Sequence, residues 1–294
     1  MTGASERARL AAVEHRRESP SAYVEYQMLS ARRGMWPRIL RHLSDPAGKR
    51  ALDVGCGTGG LALFLASQGL RVSAVDNQQY DPVALDTARS EARRRQLAVE
   101  VRHADASSLP YESRSFDLIV CSQVFEHLSD PEAAIAEIER VLAPGGLAMV
   151  DFPGWYGPFN GHIDDTVRLP WAHLLPRDLV RRLAQPHDFA VYQTLAGLSY
   201  QRFESIARDA GLGIIEARPM WFLTHAGRAL VRGAFSDAVR TFRREPSEVL
   251  RFAFLAATAP LSYIPYIREF FAAGYRYALR HQTEGRDLLE ELTP

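Results

Sequence analysis

Residues 51–60, with the sequence ALDVGCGTGG, decide the fold of this 294-residue chain. Ala51–Val54 is typical of a short strand, and Gly60–Gln68, after the turn, has the pattern of a helix. The glycines between them allow a sharp turn and let a ligand approach the backbone, because a glycine has no Cβ. The stretch therefore predicts a strand, a ligand-binding turn and a helix in direct succession.

Short β-rich runs alternate with helical patterns from residue 49 to about residue 152. Alternation of this kind is typical of a parallel sheet that helices cover on both faces. Two later runs, Gly213–Ala217 and Gly274–Arg280, complete the sheet, so we predict an α/β fold with a doubly wound, seven-stranded, mostly parallel sheet. The other predicted strands are Ala51–Val54, Val72–Asp76, Val99–Arg102, Phe116–Cys121 and Leu147–Phe152, and the predicted helices are Gly60–Gln68, Pro82–Arg95, Pro131–Leu142 and Tyr200–Ala210.

Charge and composition argue against several classes of protein. The 35 basic and 35 acidic side chains balance to a formal charge of zero, which disfavours a nucleic-acid-binding protein that relies on a basic face. The only two cysteines, Cys56 and Cys121, are consistent with a reducing, cytoplasmic location. The most apolar stretch, Phe252–Ile267, contains two prolines and is shorter than the about 20 residues that a membrane-spanning helix needs. We therefore expect a cytoplasmic protein with no transmembrane segment and no nucleic-acid partner.

The glycine-rich turn is compatible with two kinds of cofactor. Gly55, Gly57 and Gly60 satisfy the dinucleotide pattern G-x-G-x-x-G, and Asp76 follows at about the 20 residues expected of an acid that binds ribose. A nicotinamide-dependent oxidoreductase therefore stays open on the glycines alone. Asp53, however, places a carboxylate two residues before the first glycine, where it would repel a pyrophosphate and attract an ammonium or sulfonium group. The pattern D-x-G-x-G-x-G thus favours a cationic amino-acid cofactor.

At this motif the chain resembles the class I S-adenosylmethionine-dependent methyltransferases. His103–Pro110 looks like the adenine-binding turn of that family, and Ser115–Ile119 looks like its fourth strand. Gln123–Leu128 and Leu142–Gly146 look like the motif after that strand and the turn into the fifth strand. The resemblance covers about residues 49–152, and it implies a Rossmann-like methyltransferase fold with S-adenosyl-L-methionine as the cofactor.

The resemblance implies which residues bind the methionine end of the cofactor. Asp53 would lie near the amino group, and the backbone carbonyl of Gln123 would accept from the ammonium. Tyr26, or its neighbour Tyr23, would close a lid over this end; alternatively, these tyrosines only pack the first helix. The glycine turn would line the cofactor with Gly55, Cys56, Gly57 and Gly59.

The adenosine end is assigned in the same way. Asp76 would hold both ribose hydroxyls, and Asn77 would lie over the edge of the adenine. Asp105 would accept a hydrogen bond from the adenine amino group, while the backbone amide of Ala106 would meet a ring nitrogen.

Two histidines are candidates for the catalytic base. His127 follows the fourth strand, where it could face the transferred methyl group, although a packed helix start is the alternative role. His162 lies in the segment after the fifth strand, together with Asp164 and Asp165. A metal is not expected, because Gln123 stands where related metal-dependent enzymes have their first acidic ligand.

The segment after the fifth strand is the candidate acceptor site, because ligands of doubly wound sheets bind outside the carboxyl ends of the strands. It is rich in proline, glycine and aromatic residues, and it is loosely similar to methyltransferases of polysaccharide, glycolipid and specialised-metabolite clusters. Aromatic rings can stack on a sugar, and acids can orient hydroxyls; Asp164 and Asp165 could alternatively hold a magnesium-bound diphosphate, and the aromatics could simply pack. The predicted acceptor residues are Trp155, Tyr156, Asp164, Asp165 and Tyr200.

These assignments divide the chain into four parts and predict its activity. Residues 1–48 form an N-terminal helical lid, 49–152 the cofactor-binding core, 153–199 the substrate-binding insert, and 200–294 the end of the fold with an apolar helical insertion. The predicted activity is methyl transfer to a small-molecule or glycosidic acceptor, at oxygen. The alternatives are C- or N-methylation of a specialised metabolite or isoprenoid, the nicotinamide-dependent oxidoreductase, and a non-catalytic methyltransferase-like binding protein.

Overall fold

A computed structural model describes residues 19–78, 81–158, 167, 170–220, 253–254, 257–258, 261 and 274–282. The chain forms two compact units. Among the described residues, the sheet unit comprises those within 19–152, 201–217 and 276–282, and the insert unit comprises the others. The calls on His162, Asp164 and Asp165, and on most of the apolar stretch 252–267, lie outside the described residues.

Seven strands form a single sheet in the order β3-β2-β1-β4-β5-β7-β6. Strands β1 to β5 are parallel, and β7 is antiparallel to them. The order reverses direction between β1 and β4, which is the point where doubly wound sheets bind their ligands. The predicted seven-stranded, mostly parallel sheet is therefore confirmed. The strands are β1 (Arg50–Val54), β2 (Arg71–Asp76), β3 (Val99–His103), β4 (Phe116–Ser122), β5 (Leu142–Phe152), β6 (Leu212–Met220) and β7 (Gly274–His281).

The four helices predicted with bounds begin and end close to those positions, whereas the two helices within 177–192 lie in a segment for which no helix is predicted. Pro131 opens one of them, and the side chain of Asp130 caps it by accepting from the Ala133 amide at 2.9 Å. None of the helices in these ranges is long and apolar enough to cross a membrane. The helices are α1 (Pro20–Arg33), α2 (Met35–His42), α3 (Gly60–Ser67), α4 (Ala84–Arg94), α5 (Pro131–Val141), α6 (Arg177–Leu183), α7 (Pro186–Tyr192) and α8 (Tyr200–Asp209).

One face of the sheet packs against α1, α2 and α3, and this face determines where the site lies. Neighbouring strands place apolar residues in register there, for example Ala51 beside Leu118 and Leu118 beside Leu147. Because side chains alternate between the two faces of a sheet, every second residue further along each of these strands lies on this same face. At the carboxyl ends these positions change from apolar to polar, with Asp53, Asp76, Ser122 and Asp151.

The opposite face is closed by an aromatic cluster in the sheet unit. The ring of Phe203, on α8, lies with its centroid 5.1 Å from that of Phe125, 5.0 Å from that of Phe152 and 4.7 Å from that of Tyr277. All four side chains have no exposed surface. The cluster therefore joins β5, β7 and α8 into one core.

Truncation of Phe203 tests the contribution of this cluster. Phe203→Ala should lower the free energy of unfolding by about 3–5 kcal/mol, because it removes a buried ring and leaves a cavity. Urea denaturation measures the change. Leu40→Ala is the control, because Leu40 is 47% exposed and its truncation should cost below about 1 kcal/mol. Equal losses in the two variants would contradict the assigned core.

Candidate functional site

The glycine turn between β1 and α3 has a backbone that other residues would strain. Gly55, Gly57 and Gly59 have φ values of +73°, +51° and +84°. A Cβ at Gly55 would lie 2.2 Å from Val124 Cγ2, and a Cβ at Gly59 would lie 2.7 Å from Ala88 Cβ. At Gly57 nothing lies within 4 Å of the added carbon, so the turn leaves open space at this residue.

Helix α1 is held against the glycine turn by Gln27, which sequence reasoning missed. The Gln27 side-chain oxygen accepts from the Thr58 hydroxyl at 2.7 Å and from the Gly60 amide at 3.3 Å. A Cβ at Gly60 would lie 2.2 Å from Gln27 Cβ, so the glycine is needed for this close approach. The contact joins the N-terminal helices to the start of α3.

A cavity of about 340 Å³ lies in the sheet unit, between these helices and the carboxyl ends of the strands. It is lined by several of the predicted cofactor residues, which the fold brings together: Tyr26, Asp53, Gly55, Cys56, Gly57 and Gln123. It is also lined by residues that the sequence did not single out, including Ser30, Arg38, Ser122, Asp151 and Arg276.

Asp53 contributes a buried carboxyl to this cavity. The residue is 2% exposed, and its Oδ2 has no hydrogen-bond partner among the described residues. Burial raises the pKa of Asp53 to about 7; a hydrogen bond from the Ala62 backbone opposes the shift, and the nearby Asp76 carboxylate adds to it. A buried carboxyl with one unpartnered oxygen is suited to a cationic ligand.

The predicted adenosine-binding residues meet beside the cavity, at the ends of β2 and β3. The two carboxyl oxygens of Asp76 accept from the amides of Gly57, at 2.9 Å, and Gln78, at 2.6 Å. The side-chain amide of Asn77 donates to Asp105 at 3.3 Å. Hydrogen bonds from Ser107 hold the pKa of Asp105 below its usual value. Ala106, directly after Asp105, is buried.

Asp151 places a second buried carboxyl at the end of β5, in register with Ser122 of β4. Its Oδ1 has no hydrogen-bond partner among the described residues, although it lines the cavity. Burial raises the pKa of Asp151, and hydrogen bonds from Ser122 and Gln123 and the charges of Arg38 and Arg276 partly oppose this. Gln123 itself has a φ of +59° and donates its amide to the Asp151 carbonyl at 2.8 Å.

Arg38 and Arg276 supply positive charge next to Asp151. Arg38, on α2, is 5% exposed; its Nε lies 3.5 Å from Glu216 Oε1, and it donates to the Tyr277 carbonyl at 3.4 Å. Burial lowers the pKa of Arg38, while the charge of Asp151 opposes that shift. Arg276 is half-buried on β7.

The candidate base His127 lies in a short 3₁₀ turn, Phe125–His127, after β4. Its side chain is 15% exposed, and Nε2 lies 4.0 Å from Oε1 of Glu126, whose pKa burial raises well above its usual value. His127 is not among the residues that line the cavity. No group of three or more His, Cys, Asp or Glu side chains within the described ranges is placed to hold a metal ion.

The described residues of the predicted acceptor site belong to the insert unit. The Tyr200 hydroxyl accepts from the Gly154 amide at 2.8 Å, and this side chain is fully buried. Trp155 stacks on Tyr192 with centroids 6.0 Å apart, and its carbonyl lies 2.6 Å from Nε2 of His173. Tyr156 is 37% exposed. Tyr200 and Trp155 thus pack within the insert unit, whereas the Tyr156 ring remains accessible.

The missed cavity residues differ in how far the sequence could have revealed them. Asp151 is a single carboxylate at the end of an apolar strand, Leu147–Phe152, a position that it shares with Asp53. Arg38 lies between Met35 and Ile39 on a helix, where an arginine reads as a solvated residue. Arg276 carries no local signal, because only the position of β7 beside β5 brings it to the cavity.

Comparisons with known proteins agree with this geometry. Residues 52–150 match a family model described as a methyltransferase domain. A demethylmenaquinone methyltransferase of Deinococcus radiodurans is 34% identical over 166 residues, which cover 55% of this chain and 67% of the relative. A ubiquinone biosynthesis O-methyltransferase of Coxiella burnetii is 35% identical over 99 residues, which cover 34% of this chain and 41% of the relative.

The fold is also similar to that of a solved S-adenosylmethionine-dependent methyltransferase from Mesorhizobium loti. The TM-score is 0.54 at 15% identity, and the match covers 84% of this chain and 97% of that chain. At this identity the likeness concerns the fold alone.

Two glycine variants separate the roles of the turn. Gly57→Ala should cost about 1–2 kcal/mol of stability, because only its φ is unfavourable, but its Cβ enters the open space and should weaken S-adenosylhomocysteine binding. Gly55→Ala should cost about 1–3 kcal/mol more, because of the collision with Val124. Urea denaturation and calorimetric titration measure the two effects. Equal stability of the variants, or unchanged binding by Gly57→Ala, would contradict this description of the turn.

Proposed function

The chain belongs to the class I S-adenosylmethionine-dependent methyltransferases, and we propose that it transfers the donor's methyl group to a hydroxyl oxygen of a small-molecule or glycosidic acceptor. Membership of this family excludes the alternative activity, that of a nicotinamide-dependent oxidoreductase. The observation that supports oxygen as the methylated atom is the buried carboxyl of Asp151, which lines the cavity with a free Oδ1 among the described residues.

The methionine end of the donor occupies the cavity beside the glycine turn. Asp53 pairs with the donor's ammonium, which supplies the partner that its Oδ2 lacks within the described residues. The carbonyl of Gln123 accepts from the same ammonium, and Tyr26, from α1, closes this end. The backbone of Gly55, Cys56, Gly57 and Gly59 approaches the donor closely.

The adenosine end lies along the ends of β2 and β3. Asp76 takes both ribose hydroxyls, Asn77 covers the edge of the adenine, Asp105 accepts from the adenine amino group, and the Ala106 amide donates to the ring. The support for this arrangement is that these side chains are already held in place: Asp76 accepts from the Gly57 amide, and Asn77 donates to Asp105.

Asp151 acts as the base for the acceptor hydroxyl. The carboxylate takes the hydroxyl proton while the oxygen attacks the methyl carbon, so that the new O–C bond forms as the C–S bond breaks and S-adenosylhomocysteine leaves. A base is needed because a neutral hydroxyl is a weak nucleophile, and burial raises the pKa of Asp151 toward the range in which a carboxylate takes protons well. His127 does not line the cavity, so Asp151 takes its place in this proposal.

The glycosidic character of the acceptor is supported by the composition of the insert. Tyr156 presents an accessible ring of the kind that stacks on a sugar. Trp155 and Tyr200 pack within the insert unit, and both stay proposed acceptor residues. His162, Asp164 and Asp165 stay candidates for hydrogen bonds to acceptor hydroxyls.

Product analysis tests the proposed function. The purified protein is incubated with donor carrying a deuterated methyl group and with glycosides, phenols and hydroquinones. Mass spectrometry and NMR then locate the label. We expect an O-methyl product; a C- or N-methyl product would contradict the assignment of oxygen.

The base is tested by Asp151→Asn, which should lower kcat at least about 100-fold because the amide cannot take the proton. The affinity for S-adenosylhomocysteine should stay within about twofold, because Asp151 does not contact the donor. Asp117→Asn is the matched control at the opposite end of β4, where the carboxylate accepts only from the Arg50 amide at 2.8 Å, and it should keep turnover. An active Asp151→Asn enzyme would refute the assignment.

The ionisation of Asp53 predicts how donor binding depends on pH. With a pKa near 7 in the free protein, Asp53 is protonated below that pH and offers no charge to the ammonium. Affinity for S-adenosylmethionine should therefore rise about tenfold per pH unit up to about pH 7 and then level off. Calorimetry between pH 5.5 and 8 measures this. Asp53→Asn should bind weakly with a flat profile, whereas the exposed Asp86→Asn should behave as the wild type; a flat wild-type profile would overturn the pairing.

A further inference from the structure

The wall of the cavity formed by β5, β7 and α2 differs in charge from the wall at the glycine turn. Asp53 lines the turn side, with the Asp76 carboxylate close behind it, while two guanidinium groups, Arg38 and Arg276, line the other side near Asp151. A cationic donor accounts for the negative side. None of the residues that we assign to donor binding belongs to the positive side.

Arg276 is the residue on this wall that is available to a ligand. It lines the cavity from β7, half-buried, and makes no hydrogen bond or ion pair with any described residue. Its charge acts on the neighbouring Asp151, but no described residue uses its hydrogen-bond donors, so the side chain can bind an anionic ligand. Its planar fork of donors suits a carboxylate or a phosphate, which it binds through two parallel hydrogen bonds.

Arg38 has a different role, because it is already committed. It contacts Glu216, the Met35 sulfur at 3.7 Å and the Tyr277 carbonyl. Glu216 is shared with Arg41 and His42, whose nitrogens lie 3.1 Å and 2.9 Å from its oxygens. Arg38 is therefore fixed in place and adds positive potential to this wall, while Arg276 is the guanidinium that can bind an anionic ligand.

The order of the strands separates this wall from the donor. The proposed donor contacts lie on β1, β2, β3 and the end of β4, whereas Asp151 is on β5 and Arg276 is on β7. At about 4.8 Å between neighbouring strands, the backbone of β7 lies about 10 Å from that of β4 and about 14 Å from that of β1. Asp151, on β5, is thus on the strand between β4 and β7.

We propose that the acceptor carries a carboxylate or phosphate group, which Arg276 binds while the reacting hydroxyl lies at Asp151. This inference rests on the proposed function, because it places the acceptor in the same cavity. It narrows the acceptor to acidic hydroxyl compounds, such as hydroxy acids, acidic sugars or phosphorylated sugars. The opposite charges of the two walls then orient the methyl group of the donor toward the hydroxyl group of the acceptor.

Anion binding to the protein loaded with S-adenosylhomocysteine tests the inference without turnover. Acetate, benzoate, glucuronate and inorganic phosphate are titrated separately by calorimetry at constant ionic strength. We expect saturable binding of at least one of them, and the stronger class distinguishes a carboxylate from a phosphate. Arg276→Met should weaken that binding at least tenfold, and Arg276→Lys should recover part of it.

The matched control is Arg71→Met, which removes the same charge from an exposed residue at the amino-terminal end of β2. It should bind the anions as the wild type does. The inference is overturned if none of the four anions binds saturably, or if Arg276→Met leaves binding unchanged. It is also overturned if Arg276→Met weakens S-adenosylhomocysteine itself tenfold, because Arg276 would then bind the donor's carboxylate.

Turnover with matched pairs of acceptors separates this inference from the proposed function. Each pair consists of an acidic acceptor and its neutral analogue, such as a hydroxybenzoate and the corresponding hydroxybenzamide, or a glucuronide and the corresponding glucoside. The wild type should prefer the acids at least tenfold in kcat/KM, and Arg276→Met should remove the preference mainly through KM. An O-methyl product without acid preference would overturn the anion site alone, whereas acid preference with a C-methyl product would overturn the assignment of oxygen alone.

Discussion

Desolvation of two carboxyl groups is the constraint on which the site depends. Asp53 and Asp151 lie at the carboxyl ends of β1 and β5, on the face of the sheet that α1, α2 and α3 cover. The earlier residues on this face are apolar, and the helices exclude water from it. Each keeps one oxygen without a partner among the described residues, and burial raises the pKa of both. Such groups are destabilising unless a ligand completes their hydrogen bonds. A ligand that supplies these bonds would therefore gain binding energy at this site.

The N-terminal helices are what make this desolvation possible. From α1, Gln27 accepts a hydrogen bond from the glycine turn, and from α2, Arg38 donates to the Tyr277 carbonyl in the middle of β7. Without these contacts the carboxyl edge of the sheet would open to water, and both carboxyl pKa values would return toward their usual range. These helices therefore influence the protonation of the carboxyl groups that they cover.

The sequence predicts the strands and the glycine turn well, because their signals are local. Alternation of apolar residues places the strands, and Asp53 is visible as a charge before a glycine. Asp151 lacks that glycine pattern, but as a carboxylate at the end of an apolar strand it could have been identified. Arg276 and Gln27 could not, since the neighbour of β7 in the sheet and the docking of α1 are tertiary facts. Prediction thus succeeds where a residue's environment is set within a few positions of it.

Asp53 and Asp151 show how similar local sequences acquire different chemistry from their neighbours. Both are buried carboxyls, but Asp53 lies beside the negative Asp76, which raises its pKa further, and Asp151 lies beside Arg38 and Arg276, which lower its pKa. The first environment favours a cationic partner, and the second places a carboxyl group next to two cations. Under the proposed assignment, the donor loses its positive sulfonium charge at the negative wall. The acceptor's anion stays at the positive wall throughout, so binding there contributes to orientation without opposing the transfer.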